Sequence, residues 1–204
     1  GEAGYTHSGA IQPVQTRLND PKEDIPSNGR LAEVTVPYTD VHWGPSKNFP
    51  FAYRYYYETT HWVTALVQDH HSEPWYRVID DKWGFIFYAP AAHLRIVPSE
   101  ELSPLSPHVP PDLKRLAVHL DEQYVIAYEE DTPVFTARIS SGAVFSNGRY
   151  LTPLGRQQTF HKRPSRHMAA GDLASNGYDL PGVPWICYIT EKGVAFHGTY
   201  WHND

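Results

Sequence analysis

The apolar residues of this chain come in short runs with the spacing of β-strands, and no stretch has the period of a long amphipathic helix. Turn residues such as Asp, Gly, Pro and Ser separate the runs. We therefore predict a mainly β fold, with strands over residues 32–38, 62–68, 75–79, 84–88, 93–97, 115–120, 123–128, 133–140, 184–190 and 194–197.

The spacing of these strands divides the chain into two predicted domains. Five short strands within residues 31–98 are typical of a small barrel. Residues 99–111 are rich in proline, which predicts a stiff linker, and a β-rich domain follows over 112–204. Residues 1–30 are polar and without periodicity, so they predict an extended leader that either packs on the body or stays free. Within the second domain we expect a long irregular segment between 146 and 184.

Composition and charge exclude several classes of function. The net charge is −6 and no basic block is present, so nucleic acid is not an expected partner. No apolar run approaches the length of a transmembrane helix. A single cysteine, Cys187, excludes an internal disulfide and a CxxC zinc site, and it is expected to be buried and inert. The first residues resemble the mature end left by signal-peptide removal, which predicts export to the cell envelope or the extracellular space.

One of the twelve histidines has the sequence context of a functional residue. His197 ends an apolar strand, and Gly198 follows at once, so the backbone there can turn sharply or come close to a ligand. Strand ends are places where a rigid fold presents residues to a site. His197 is therefore the leading candidate for a catalytic residue.

Residues 193–199 read GVAFHGT and are similar to the GxxxHGT motif of L,D-transpeptidases, the YkuD-like family. Residues 114–129 resemble the opening hairpin of that family's catalytic domain, residues 133–142 its VSTG strand, and residues 152–155 its TPxG turn. Four segments in the right order make the resemblance specific. Residues 75–96 also resemble the end of a bacterial SH3-like domain. The implied fold is a small SH3-like barrel followed by a β-rich transpeptidase sandwich.

The resemblance implies remodelling of peptidoglycan through a cysteine acyl-enzyme. A thiolate attacks a stem-peptide carbonyl, D-alanine leaves, and an amine acceptor resolves the thioester. The family takes its cysteine from a Ser-His-Gly-Cys block that follows the first histidine by 13 to 17 residues, whereas the chain ends at Asp204. We expect the natural protein to continue into that block. The alternative is a catalytically inactive protein that binds cell wall or has a structural role in the envelope.

The same resemblance implies a set of site residues. His197 would act as the base, with Gly198 and Thr199 orienting it. Part of the segment 157–181 would form a lid over the substrate. The residues expected to contact the stem peptide are Trp201, Met168, Tyr178, Arg166 and Tyr188. No cofactor is expected, and the acceptor and the oligomeric state stay open.

A metal hydrolase is a further alternative. His161, His167, His197 and His202 could gather around zinc. The spacing of His197 and His202 differs from that of a helical metal-binding pair, and no Glu lies between them. We therefore predict no metal site.

Overall fold

The computed structural model describes residues 11, 13–145, 148–175 and 177–201. They form fifteen β-strands and a few short 3-10 turns, all strand pairings being antiparallel, so the predicted mainly β class is confirmed. The strands are β1 (Arg30–Val34), β2 (Tyr38–His42), β3 (Phe51–Tyr56), β4 (Thr60–Gln68), β5 (Pro74–Ile79), β6 (Ile86–Pro90), β7 (Leu94–Ile96), β8 (Lys114–His119), β9 (Tyr124–Glu129), β10 (Thr132–Arg138), β11 (Val144–Phe145), β12 (Gly148–Arg149), β13 (His161–Ala170), β14 (Tyr178–Tyr188) and β15 (Ala195–Phe196).

The first seven strands form one sheet in the order β3-β2-β6-β5-β4-β1-β7. Alternate residues of the central strands point into a core of valines and aromatic rings, as the period of two requires. Val34, Val63, Val78 and Phe87 are at most 1% exposed in this core. The sheet is the largest in the described part of the chain, and the SH3-like identity of this region stays a prediction.

Part of the predicted leader lies along this sheet. Arg17 donates its backbone N–H to Thr35, and the Asn19 backbone N–H reaches the carbonyl of Ala92. Further along, Lys22 donates its backbone N–H to the Tyr76 hydroxyl at 2.7 Å. Backbone groups that would otherwise be solvated are thus paired with the sheet, so residues 17–22 are held in extended form.

A long hairpin, β13–β14, occupies the region expected to be irregular, and the expectation of an irregular segment over 146–184 was wrong. Its buried residues are His167, Val183, Ile186 and a Pro-Gly segment, not a regular row of branched apolar residues. The strand period is therefore hidden in the sequence. Pro164 is tolerated in β13 because β13 is an edge strand of the sheet β13-β14-β15.

Strand β4 supplies one set of hydrogen bonds between the first sheet and the hairpin. Thr60 donates its hydroxyl to the Pro164 carbonyl at 2.8 Å, and Ser165 donates its hydroxyl to the Thr60 carbonyl. Gly182 of β14 has φ of +73° and lies directly against the His61 ring, where an added Cβ would be 2.3 Å from the ring carbon Cε1. Only glycine permits both the conformation and the approach.

Two compact units result from these contacts. The described residues of Gly1–Val97 and Gln157–Asn203 form one unit, and Pro98–Arg156 form the other. The second unit contains the sheet β10-β9-β8 and the small pair β11-β12. The predicted domains over 31–98 and 112–204, with a linker over 99–111, stay a prediction.

Three details of the predicted strands differ from the structure, the first being that β2 was not predicted as a strand of its own. The expected strand over 32–38 is broken, because Thr35 turns its backbone N–H to the His93 carbonyl and Pro37 has no N–H to offer. Strand β3 was not predicted. Only Tyr55 of its six residues is buried, so the strand lacks the apolar alternation that would have revealed it.

No helix in the described ranges combines the length and the apolar character that crossing a bilayer requires.

We predict that Gly182→Ala destabilises the first unit more than Gly84→Ala does. Gly84 has nearly the same φ, +71°, but nothing lies within 4 Å of its added Cβ. Gly84→Ala should therefore cost about 1 kcal/mol of unfolding free energy from backbone strain alone. Gly182→Ala should cost about 3 kcal/mol, because overpacking against His61 is added.

Urea unfolding of both variants, followed by tryptophan fluorescence, measures this difference. Equal losses for the two variants would show that the contact between Gly182 and His61 is absent.

Candidate functional site

His167 lies in the interior of the first unit between two carboxylates. Its side chain is 2% exposed, and its Nδ1 bonds Asp80, which follows β5. Its Nε2 bonds Asp179 of β14. A carboxylate only accepts hydrogen bonds when ionised, so both ring nitrogens donate and the imidazole carries a proton on each. We call Asp80, His167 and Asp179 the His167 cluster.

Neighbouring residues complete the bonding of the cluster. The Tyr53 hydroxyl donates to Asp179 at 3.3 Å, and the Trp83 ring meets the His167 ring edge-on at 4.6 Å between centroids. Backbone N–H groups of Lys82 and Trp83 donate to Asp80. Each buried charge therefore has the partners that its burial demands.

Asp81 binds the same hairpin from the side. It accepts the His167 backbone N–H at 2.6 Å, the Arg166 guanidinium at 3.0 Å and the Arg163 guanidinium at 3.3 Å. A turn of two adjacent aspartates after β5 thus holds three residues of β13, which fixes the position of the hairpin on the sheet.

Burial and charge act in opposite directions on the pKa values of the cluster. Burial disfavours a charged His167, but the hydrogen bonds and charges of Asp80 and Asp179 outweigh it and raise the pKa of His167 above its ordinary value of 6.5. Burial likewise opposes ionisation of Asp80, but the bond with His167 and two backbone N–H groups lower its pKa below 3.8. Burial and then Asp179 raise the pKa of Tyr53 to about 12. The cluster is therefore a charged, fully bonded group near neutral pH.

The predicted catalytic residue, His197, lies beyond the end of β15. Phe196 pairs with Cys187 of β14, and the Gly198 backbone N–H donates to the Pro184 carbonyl at 2.9 Å. His197 is exposed, and its Nδ1 is 3.0 Å from the Gly198 carbonyl. A carbonyl only accepts, so Nδ1 carries the proton and the lone pair of the neutral ring is on Nε2. This tautomer places the hydrogen-bond acceptor of the ring on Nε2.

Aromatic rings surround this segment. The Trp201 ring lies 5.9 Å from the His197 ring, and Tyr200 packs edge-on against Trp201 at 5.0 Å. Tyr200 also stacks on Tyr56 of β3 at 5.6 Å. The Tyr200 contact ties the segment after His197 to the first sheet.

The structure brings together some of the predicted site residues and separates others. His197, Gly198, Thr199 and Trp201 are consecutive or nearly so after β15. Tyr188 of β14 lies opposite Ala195 of β15, and its ring stacks on the His161 ring with 5.7 Å between the centroids.

The other predicted contacts lie elsewhere on the hairpin. Arg166 is held in the ion pair with Asp81, and Met168 lies opposite Leu180. Tyr178 begins β14, ten residues before Tyr188, which at about 3.3 Å per strand residue places the two at opposite ends of the strand. The roles of all eight residues, and of the segment 157–181 as a lid, stay predictions.

The structure also gives the positions of Cys187 and of most of the candidate zinc ligands. Cys187 is half-buried in β14 rather than fully buried, opposite Lys162 and Phe196. Among the described residues no group of three His, Cys, Asp or Glu is arranged to hold a metal. His202 lies outside those residues.

The sequence reading missed the His167 cluster as a unit. Asp80 was not among the predicted site residues, and His167 was named only as a candidate zinc ligand. The cluster joins residues 87 and 12 positions apart in the chain. No local pattern encodes such a meeting, although two adjacent aspartates after an apolar strand and a histidine in a basic segment were visible signals.

Comparison with known protein families gives one match. The family model described as L,D-transpeptidase catalytic domain, YkuD, matches residues 113–204, which include strands β8–β15. The resemblance seen in the four sequence segments is thereby confirmed for this part of the chain. No curated protein matches the chain, and neither does any solved structure.

The His167 cluster predicts a defined pH dependence of stability. The folded state binds the His167 proton more tightly than the unfolded state, so this contribution is complete below pH 6.5 and is lost as pH rises through the raised pKa. Asp80 contributes in the opposite sense, above pH 3.8, and its contribution is lost as pH falls through its lowered pKa. Unfolding free energy should therefore fall on both sides of a maximum between these pH values.

Asp179→Asn should make the alkaline fall smaller and complete at a lower pH, because His167 loses one of its two carboxylates and its folded-state pKa is raised less. Asp40→Asn is the control, since Asp40 forms an exposed ion pair with Arg54. Urea midpoints measured from pH 4 to 10 would contradict the account if Asp179→Asn and Asp40→Asn gave the same alkaline curve.

Proposed function

We propose that the natural protein is an exported L,D-transpeptidase that acts on peptidoglycan in the cell envelope. Its cysteine nucleophile would lie in a segment following Asp204. The observation that carries the proposal is the family match over residues 113–204, with His197 at the motif position and in the tautomer that a base requires.

The chemistry assigns His197 two proton transfers. Nε2 takes the proton of the cysteine thiol, and the resulting thiolate attacks the stem-peptide carbonyl carbon. The tetrahedral intermediate then expels the amine of the terminal D-alanine, which takes a proton from the His197 imidazolium, and a thioester is left. The acceptor amine attacks the thioester and loses its proton to Nε2, and the departing thiolate then takes that proton back from the imidazolium, which restores the thiol and the neutral ring. Each step conserves charge and atoms with no cofactor.

The surroundings of His197 support this role. Its Nδ1–H bond to the Gly198 carbonyl holds the ring so that Nε2 can receive the proton. Gly198 is close to Pro184, where an added Cβ would be 2.8 Å from the proline ring carbon Cγ. A glycine is therefore required at this point for the segment to lie against β14 and present His197 beside it.

Tyr178 and Met168 do not enter this proposal, because both lie towards the opposite end of the hairpin from Tyr188, and Arg166 does not because Asp81 already binds its guanidinium. Trp201 and Tyr188 remain the proposed aromatic contacts of the stem peptide. Both are at the same end of β14 as His197 by the pairing of β14 with β15.

A wall-binding role is the second candidate, and exposed aromatic side chains on the first sheet favour it. Trp43, Trp83 and Phe85 are each between 45% and 47% exposed. The Trp43 and Phe85 rings are 5.6 Å apart, and those of Trp83 and Phe85 are 6.4 Å apart. Such rings can contact sugars and peptides through their faces.

We predict that His197→Gln slows formation of the acyl-enzyme by about 10²- to 10⁴-fold, the usual contribution of a general base. The measurement is the intact mass of the full-length natural protein with time after addition of a stem peptide ending in D-alanine, or of a carbapenem. The matched control is His70→Gln, because His70 lies in a turn beyond the end of β4. It should react at the wild-type rate.

Equal rates for His197→Gln and the wild type would remove His197 from the mechanism. The absence of any covalent adduct on the full-length protein, together with sedimentation of that protein with purified peptidoglycan, would replace the enzyme by the wall-binding candidate.

A further inference from the structure

A cavity of about 270 Å³ lies within the first unit, between the β13–β14 hairpin and strands β4 and β5. Two members of the His167 cluster, Asp80 and His167, line it, together with the neighbouring Asp81. None of the described residues after β15 lines it. The remaining lining residues are Tyr55, His61, Trp62, Ile79, Arg163, Pro164, Ser165 and Gly182.

His61 offers this cavity a hydrogen-bond acceptor. The single hydroxyl proton of Thr59 goes to the Tyr56 carbonyl at 2.7 Å. The Thr59 oxygen must therefore accept from His61 Nε2–H, 2.9 Å away, and the lone pair of the ring is on Nδ1. Burial, and then the charge of His167, lower the pKa of His61 to about 3, in agreement with a neutral ring.

The Nδ1 atom of His61 is open to the cavity. No donor in the described part of the chain bonds it. Every fully enclosed side-chain nitrogen or oxygen there has a partner, so an atom without one must have access to open space. His61 itself is only 5% exposed, and the space that its ring lines is the cavity. A neutral acceptor placed in this way calls for an N–H or O–H from a ligand.

Arg163 offers the same cavity hydrogen-bond donors and a positive charge. Only its Nη2 has an ion-pair partner, Asp81, at 3.3 Å. Asp81 also binds Arg166 and the His167 backbone, so its charge is shared among three donors. The other N–H groups of the Arg163 guanidinium have no partner in the described ranges. A guanidinium with free N–H groups matches a carboxylate, which it can bind through two parallel hydrogen bonds.

Most of the other polar lining groups are already engaged, whereas no group in the described part of the chain bonds the Tyr55 hydroxyl. Asp80 and His167 bind each other, and Ser165 donates its hydroxyl to Thr60. Trp62 donates its indole N–H to the Asn28 carbonyl at 2.8 Å, so only its ring faces are left for contact. What remains for a ligand is one neutral acceptor, one cationic donor, the Tyr55 hydroxyl, and aromatic or aliphatic walls.

We propose that this cavity binds a small carboxylate that carries an N–H or O–H donor on the carbon next to it. The carboxylate pairs with Arg163, the donor bonds Nδ1 of His61, and the substituent of the neighbouring carbon contacts Tyr55 and Trp62. With a volume of about 270 Å³, the cavity is at the small end of ligand pockets and suits a small organic ligand. Two classes of compound have this combination of groups, N-acylated amino acids and 2-hydroxy acids.

Four probes separate the required features: N-acetylalanine, lactate, propionate and N-acetylalaninamide. The readout is the shift of the Trp62 indole N–H signal in ¹H–¹⁵N NMR spectra during titration of the full chain. N-acetylalanine or lactate should bind at least about tenfold more tightly than propionate, which lacks the donor, and than N-acetylalaninamide, which lacks the carboxylate. Whichever of the two binds more tightly identifies the source.

Matched variants test the two contacts. Arg163→Met should weaken binding at least about tenfold, whereas Arg166→Met removes the other guanidinium from Asp81 without changing the cavity wall and should not. His61→Phe keeps a ring against Tyr55 and should reduce the affinity for N-acetylalanine to that for propionate. Far-ultraviolet circular dichroism and urea midpoints establish that each variant is folded.

The proposal is overturned if none of the four probes shifts the Trp62 signal, if all four bind alike, or if Arg163→Met and Arg166→Met weaken binding equally. It does not depend on the proposed transpeptidase activity. Binding of these probes needs no cysteine, and acylation of a cysteine needs no ligand in this cavity, so either result can fail while the other stands.

Discussion

A buried, charged histidine between one buried and one half-buried carboxylate is the interaction on which the first unit depends. His167 belongs to the hairpin, Asp80 to the first sheet, and Asp179 to the second strand of the hairpin. The cluster therefore joins both strands of the hairpin to the sheet at one point. A buried ion pair of this kind is stabilising only while it is complete, and removal of one partner typically costs about 3–5 kcal/mol. The glycine against His61 and the three bonds to Asp81 reinforce the same attachment.

The attachment of the hairpin determines where the proposed base lies. The strand before His197 pairs only with the second hairpin strand within the described part of the chain, and Gly198 bonds Pro184 of that strand. Tyr200 then stacks on Tyr56 of the first sheet. The position of His197 thus follows from the hairpin, and that of the hairpin from His167. His167, which has no direct role in the proposed chemistry, in this way determines the position of His197, which does.

The parts of the fold that the sequence predicted are those with a regular apolar period. Strands such as Pro74–Ile79 and Lys114–His119 were placed within a residue or two, because branched and aromatic residues mark them. The strand His161–Ala170 was missed because charged residues and Pro164 occupy it, and tertiary ion pairs replace an apolar core there. The motif around His197 could be recognised from the sequence because its residues are contiguous. The His167 cluster was not, since its members meet only after the chain has folded.

The most direct test of this account is the protonation of His167 at neutral pH, observed through the two imidazole nitrogens in ¹⁵N NMR spectra. The account predicts that both nitrogens carry protons at pH 7, because both donate to carboxylates. The His61 ring should serve as an internal reference with one protonated nitrogen, Nε2. A His167 ring with a single protonated nitrogen at pH 7 would contradict the charged cluster and, with it, the explanation of how the hairpin is held.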